Sequence, residues 1–115
     1  MREIGERARQ LPAPPRVVWA SLAGPRRPWL RLLADEVEPV VLAAEEPRLV
    51  VWSSLWPSRP DDQVRIELTA TTGGATVLRF VLRTPSEVPD PSKLGHLRRR
   101  LNTILFADLR FSYGQ

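Results

Sequence analysis

The sequence contains no cysteine, which excludes disulfide bridges, thiolate catalysis and cysteine-ligated metal sites. Histidine is almost missing as well, because His96 is the single one, and one imidazole without cysteine cannot build a zinc site of the usual kind. We therefore expect no metal and no cofactor. Lysine is also scarce: 16 of the 17 basic residues are arginine and only Lys93 is lysine.

Long apolar runs are missing too. The longest, Val40 to Ala44, is far below the roughly 20 residues that span a bilayer. The first six residues lack the apolar stretch of a signal peptide. We expect a cytoplasmic protein without a membrane span. With 115 residues, 43% of them hydrophobic, the chain is predicted to form one domain over residues 1–115.

The net charge of +4 and a pI of about 10.9 raise the question of nucleic-acid binding. Acidic residues are interleaved through much of the chain, and the one basic cluster is Arg98-Arg99-Arg100. A charge run on a helix is most often a solvated face, so we do not expect nucleic acid as the partner. Binding through that cluster would predict an affinity that falls steeply with salt.

Alternation of apolar and polar residues predicts five strands, over residues 2–10, 37–44, 48–56, 63–71 and 75–84. The clearest is 63–71, where Val64, Ile66 and Leu68 face one way and the charged residues the other, as in a sheet with one wet face. Gly73-Gly74 predicts a tight hairpin. Sequential strands joined by short turns predict an antiparallel meander.

Helical signals flank these strands. Residues 14–23 predict a short helix, which Gly24 in a left-handed conformation and Pro25 would end. Residues 28–33 predict a second helical turn, so that the two form a helix–helix corner. Asp90-Pro91 opens a last helix of about 22 residues, roughly 33 Å long. Its leucine-rich stripe predicts that it lies across the whole sheet. The fold class is therefore α+β, with a curved antiparallel sheet around a long C-terminal helix.

This order of elements resembles the START/Bet v 1-like superfamily, whose bacterial members are called SRPBCC or polyketide cyclase/dehydrase-like proteins. The segment Leu11 to Leu22, LPAPPRVVWASL, and the turn Gly73 to Leu78, GGATVL, are the residues that are similar. The resemblance implies a helix-grip fold that binds lipids, polyketides or other apolar molecules between the sheet and the last helix. Typical members have seven strands, so this chain is short by about one hairpin.

The expected partner is therefore a small apolar molecule. The predicted ligand-binding residues are apolar or aromatic side chains of the inner sheet face and of the last helix: Trp52, Trp56, Val64, Ile66, Leu68, Leu78, Phe80, Leu97, Leu101, Ile104 and Leu105. The two tryptophans lie four apart in one predicted strand, so they would share a face and stack on a flat ligand. The alternative is that both are packing residues.

Two other readings stay open. In the first, a cyclase- or dehydratase-like enzyme would use Asp108, which interrupts the leucine stripe, as an acid or base; Asp108 could equally lie at the edge of the stripe beside an arginine. In the second, the chain is an interaction module without a ligand, and a second copy forms a homodimer over exposed apolar surface. Glu36 and Glu38 resemble paired carboxylates, but alternation predicts that both face solvent.

Overall fold

A computed structural model describes residues 1–114 as an α+β structure in which a curved, five-stranded antiparallel sheet holds a long C-terminal helix on one face. The predicted helix-grip fold is confirmed. The elements follow the chain in this order: β1 (Arg2–Leu11), α1 (Pro15–Ala23), β2 (Val41–Glu45), β3 (Leu49–Ser53), β4 (Gln63–Ala70), β5 (Thr76–Thr84), α2 (Pro91–Thr103), a π-helical turn (Ile104–Asp108) and α3 (Leu109–Phe111).

The strands lie in the order β1-β5-β4-β3-β2, so that β1 and β2 are the two edges. In the central pair, Ile66 is opposite Phe80 and Val64 is opposite Leu82. Side chains opposite each other lie on the same face of a sheet, and these four are buried against the helix. The period-2 pattern of the sequence thus identified the inner face correctly.

Two strands are shorter than predicted. The strand expected over residues 37–44 begins only at Val41, and the one expected over 48–56 ends at Ser53. Pro39 and Pro57 have no backbone N–H and cannot continue a ladder of hydrogen bonds, so the flanking segments pair irregularly. Trp56 therefore lies in the loop after β3, and the prediction that it shares a strand with Trp52 is wrong.

The predicted helix–helix corner is also wrong in its second half. Helix α1 is present, but residues 24–40 form turns and extended segments with no second helix. Arg27 holds this segment instead: its guanidinium donates hydrogen bonds to the carbonyl oxygens of Leu22, Gly24 and Pro39, at 3.1, 3.1 and 2.6 Å. Hydrogen bonds from the Arg27 side chain thus take the place of helical backbone hydrogen bonds.

Gly24 ends α1, although not in the predicted left-handed conformation. Its φ of −64° and ψ of 157° are extended values that any residue adopts. The glycine is needed for close approach, because a Cβ at this position would lie 2.7 Å from the carbonyl oxygen of Ala20.

The C-terminal helix, as α2, the π turn and α3 together are called below, begins where the sequence predicts. The Asp90 carboxylate accepts a hydrogen bond from the Lys93 N–H at 3.0 Å. In the π turn the N–H of Leu109 donates to the carbonyl of Ile104, five residues back. The extra residue keeps Leu109 buried on the inner face. Among residues 1–114, no helix has the length and apolar character that a bilayer crossing requires.

Candidate functional site

All the predicted ligand-binding residues are brought together in one place, the core between the sheet and the C-terminal helix. None of these side chains is more than 5% exposed: Trp52, Trp56, Val64, Ile66, Leu68, Leu78, Phe80, Leu97, Leu101, Ile104 and Leu105. They pack on one another. That they contact a ligand stays a prediction.

The two tryptophans of this group have polar partners within the protein. The indole N–H of Trp52 donates to the carbonyl of Leu22 at 3.0 Å, and its ring stacks on Trp29 with centroids 6.3 Å apart. The guanidinium of Arg27 lies 5.6 Å from the Trp52 ring centroid. The indole N–H of Trp56 donates to Glu36 at 3.2 Å. Both indoles thus join the core to the segment between α1 and β2.

Glu36 is not the solvent-facing carboxylate that alternation predicts. The segment around it is not a strand, and its side chain is fully buried. Arg100 donates two hydrogen bonds to it, at 2.8 and 2.7 Å, and the Leu33 N–H donates another at 2.9 Å. Burial by itself raises the pKa of Glu36, but these donors outweigh it and hold the pKa below its ordinary value. Glu36 therefore fastens the 33–36 turn to the C-terminal helix.

The ion pair between Arg100 and Glu36 separates Arg100 from the other two arginines of the cluster. Arg100 turns toward Glu36 and is mostly buried, whereas Arg98 and Arg99 are exposed on another side of the same helix. The same Glu36 hydrogen bonds, together with the Glu36 charge, raise the pKa of Arg100 despite its burial. The cluster is not one continuous basic face.

A cleft with a volume of about 220 Å³ lies on the flank of the helix that Arg98 and Arg99 occupy. We call it the sheet–helix cleft; it is lined by Glu6, Arg7, Phe80, Gly95, Arg98 and Arg99. Arg7 is opposite Phe80 in the β1–β5 register, so both side chains lie on the face toward the helix. Phe80 is the one predicted ligand-binding residue that reaches this cleft.

Two glycines shape the cleft. The register of β1 against β5 shifts between Glu3 and Gly5, a β-bulge of the kind that often lies at sheet edges beside sites. A Cβ on Gly5 would lie 2.9 Å from the Cγ of Arg98, so the glycine makes room for the Arg98 side chain. A Cβ on Gly95 would lie 3.3 Å from Nη1 of Arg99 and would extend toward the cleft.

The charge of the cleft is positive. Among residues 1–114, the side chains of Arg7, Arg98 and Arg99 form no ion pair. Glu6 also borders the cleft, but its carboxylate lies 2.9 Å from Arg79. Successive strand residues point to opposite faces, so this pair lies on the sheet face away from the helix, whereas Arg7 points toward it. Three guanidinium groups thus surround one cleft without a carboxylate to neutralise them.

Beyond Arg98 and Arg99, the C-terminal helix carries an aromatic and a polar side chain. Phe106, in the π turn, packs on Phe80 with ring centroids 6.0 Å apart. Asn102, one turn beyond Arg98 and Arg99, has a buried Oδ1 without a hydrogen-bond partner among residues 1–114. Residues 95, 98, 99 and 102 lie on one side of an α-helix by its 3.6-residue period. This side of the helix therefore offers both apolar surface and polar groups.

The remaining candidates lie elsewhere. Asp108 is half-buried and borders a surface depression with Trp29, Arg31, Phe111 and Ser112, outside the groove between the sheet and the helix. A catalytic role for Asp108 stays a prediction. Across the described residues, no three histidine or carboxylate side chains are grouped so that they could hold a metal ion.

A second, wider depression of about 770 Å³ lies between α1 and the end of the chain, and we call it the α1 groove. Its lining is largely apolar, with two arginines at the rim: Arg16, Val17, Ala20, Ser21, Arg26, Pro28, Trp29, Ser112 and Tyr113. Val17 is 44% exposed here, which is high for a large apolar side chain. The α1 groove is thus an exposed apolar surface beside α1.

Sequence reasoning missed Gly5, Arg7 and Gly95 as site residues. Gly95 could have been noticed in the sequence, because a glycine inside a predicted helix costs about 1 kcal/mol of stability relative to alanine. Such a glycine indicates a close contact at its position. Arg7 could not, because the position of β1 beside β5 and the bulge at Gly5 determine which of the strand's residues face the helix.

No family model and no curated protein sequence matches the chain. Solved structures do. CalU16 from Micromonospora echinospora superposes with a TM-score of 0.69 at 24% identity, over 95% of this chain and 73% of that one. The Aha1 dimer from Colwellia psychrerythraea gives 0.71 at 15%, over 93% and 92%. DynU16, from the dynemicin biosynthetic locus, gives 0.65 at 22%, over 94% and 46%. These likenesses agree with a Bet v 1-like fold and extend to the fold alone.

Proposed function

We propose that this chain, as one domain, binds a small apolar molecule in the sheet–helix cleft. The observation that supports this most is the cleft itself: a space of about 220 Å³ between β1 and the C-terminal helix, with Phe80 among its lining residues. Sites for drug-sized ligands measure about 300–1,000 Å³. The ligand would therefore be small, or would extend partly into solvent.

The packing of the core favours the cleft over the protein interior as the binding site. The predicted ligand-binding residues fill the space between the sheet and the helix with their own side chains. A molecule enclosed among them would have to displace well-packed groups, which is costly in a core of native density. Fold likeness to DynU16, a protein of the dynemicin biosynthetic locus, is in keeping with a small-molecule ligand.

Filling the cleft should abolish binding without harming the fold. In Gly95→Leu the new side chain would occupy the cleft, while replacement of a helical glycine should raise helix stability by up to about 1 kcal/mol. The probe is neutral 2-naphthylmethanol, titrated while amide NMR shifts are followed. In the wild type we expect shifts concentrated at Gly5, Arg7 and Gly95. In Gly95→Leu we expect the affinity to fall at least about tenfold.

Thr103→Leu is the matched control. It adds the same side chain at an exposed position of the same helix, outside the cleft lining, and should leave binding unchanged. Shifts that spread over the core residues of β4 and β5, or full binding by Gly95→Leu, would contradict the cleft as the site.

The α1 groove supports a second candidate function, association with a second copy of the chain. The groove leaves Val17 and part of Trp29 open to solvent, and the fold is like that of a protein described as a dimer, Aha1. Light scattering after size exclusion should then give a dimer mass for the wild type and a monomer mass for Val17→Glu. Val40→Glu, at an apolar position that is 63% exposed elsewhere, should remain dimeric. A monomeric wild type would rule out this candidate.

A further inference from the structure

We infer that the molecule bound in the sheet–helix cleft bears an anionic group, a carboxylate or a phosphate, beside its apolar part. The inference rests on the proposed function and adds the chemical class of the ligand. It depends on three arginines, Arg7, Arg98 and Arg99, which come from two different elements and meet at one cleft.

Six of the sixteen arginines each lie within 3.1 Å of a carboxylate oxygen: Arg27, Arg48, Arg59, Arg65, Arg79 and Arg100. The three arginines of the cleft have no such partner among residues 1–114. Glu6, the one acidic residue beside them, is paired with Arg79. Like charges gathered at one cleft favour an anionic ligand.

The β-bulge at Gly5 leaves space in which the stem of Arg98 packs against the strand. Gly95 likewise leaves the guanidinium of Arg99 close to the helix backbone. The two glycines therefore leave room for the side chains of Arg98 and Arg99 at the cleft. Guanidinium groups bind carboxylate and phosphate oxygens in a two-pronged geometry, whereas a neutral ligand gains only weaker hydrogen bonds and ring contacts from them.

Protection of the sheet edge does not account for all three arginines. A charged residue pointing inward on an edge strand can simply prevent aggregation, and Arg7 alone would be explained in that way. Arg98 and Arg99 belong to the helix and protect no edge. Together with Arg7 and Phe80 they line one cleft, an arrangement that suits an amphipathic anion.

The test compares ligands that share one ring system and differ in charge. Wild-type protein is titrated by NMR with 2-naphthoate, 2-naphthyl phosphate, neutral 2-naphthylmethanol and cationic 2-naphthylmethylammonium. We expect the two anions to bind about fivefold more tightly than the alcohol, and the ammonium most weakly, since an exposed ion pair is worth up to about 1 kcal/mol. The relative affinity of the carboxylate and the phosphate identifies which anion the cleft prefers. Added salt should reduce this preference.

Variants connect the preference to the arginines. Arg98→Gln and Arg99→Gln should each weaken 2-naphthoate binding about fivefold and weaken 2-naphthylmethanol binding much less. Arg110→Gln, exposed near the end of the helix and outside the cleft, should change neither. Equal binding of all four ligands at the cleft would overturn the anionic class and leave the proposed function standing. If none of the four bound at the cleft, both would be overturned.

Discussion

Replacing Arg100 by alanine should lower the free energy of unfolding by about 3–5 kcal/mol, a large part of the stability of a small domain. The reason is that the variant leaves Glu36 without its charged partner. The Glu36 carboxylate is fully buried, and Arg100 supplies two of the hydrogen bonds that compensate for its loss of water. Without the guanidinium, the protein must keep an unpaired buried charge or take up a proton. Urea denaturation at neutral pH measures the effect.

Arg99→Ala is the matched control for this prediction. It removes the neighbouring arginine, which is exposed and has no ion pair among residues 1–114, so its effect on stability should stay within about 0.5 kcal/mol. The double variant Glu36→Gln/Arg100→Met should recover part of the loss, because it removes both charges. If Arg100→Ala and Arg99→Ala unfold at the same urea concentration, the pair contributes no net stability.

The same ion pair should make stability depend on pH in one direction. The folded state lowers the pKa of Glu36 below its ordinary value of 4.5. Its contribution is therefore complete above that value and is lost as the pH falls through the lower, folded-state value. Glu36→Gln has no proton to gain there. The stability gap between wild type and Glu36→Gln, measured by urea denaturation, should accordingly narrow as the pH is lowered below 4.5.

Replacing Trp52 by alanine should cost about 3–5 kcal/mol and is the second large effect that we expect. The indole is completely buried, and it stacks on Trp29 and lies beneath Arg27. Its removal leaves a cavity and also deprives the carbonyl of Leu22 of a donor at 3.0 Å. Thermal unfolding followed by circular dichroism measures the loss.

Trp52→Phe separates packing from hydrogen bonding. Phenylalanine retains most of the ring volume but cannot donate to Leu22, so we expect a smaller loss of about 1–3 kcal/mol. A loss equal to that of Trp52→Ala would show that the hydrogen bond, and not the packing of the ring, dominates. If Trp52→Ala were harmless, the segment between α1 and β2 would not depend on this indole.

Local patterns in the sequence predicted most of the fold. The alternation of residues 63–71 identified β4 and its inner face, and Asp90-Pro91 located the start of the C-terminal helix. These features depend on residues a few positions apart, and the physical causes, pleat period and helix capping, act at that range. The helix-grip order followed from the same signals and from the resemblance to a known superfamily.

The errors arose where distant residues decide the structure. Arg27 holds residues 24–40 in turns by donating to the carbonyls of its near neighbours Leu22 and Gly24 and to that of Pro39, 12 positions away, and no hydrophobic pattern indicates these contacts. Glu36 was predicted to face solvent by strand alternation, but its partner Arg100 lies 64 positions away in the sequence. A buried ion pair of this kind is visible only once both elements are in place.

By itself, the sequence determined the class of elements, the apolar inner face of the sheet and the residues of the core, because hydrophobic periodicity expresses burial directly. Which side chains contact one another was decided by the tertiary structure alone. It packed the predicted ligand-binding residues against one another and turned Arg100 toward Glu36. It also brought Arg7 of the edge strand to Arg98 and Arg99 of the helix. A cleft is a space between elements, and its lining depends on register, a bulge and two glycines rather than on any contiguous motif.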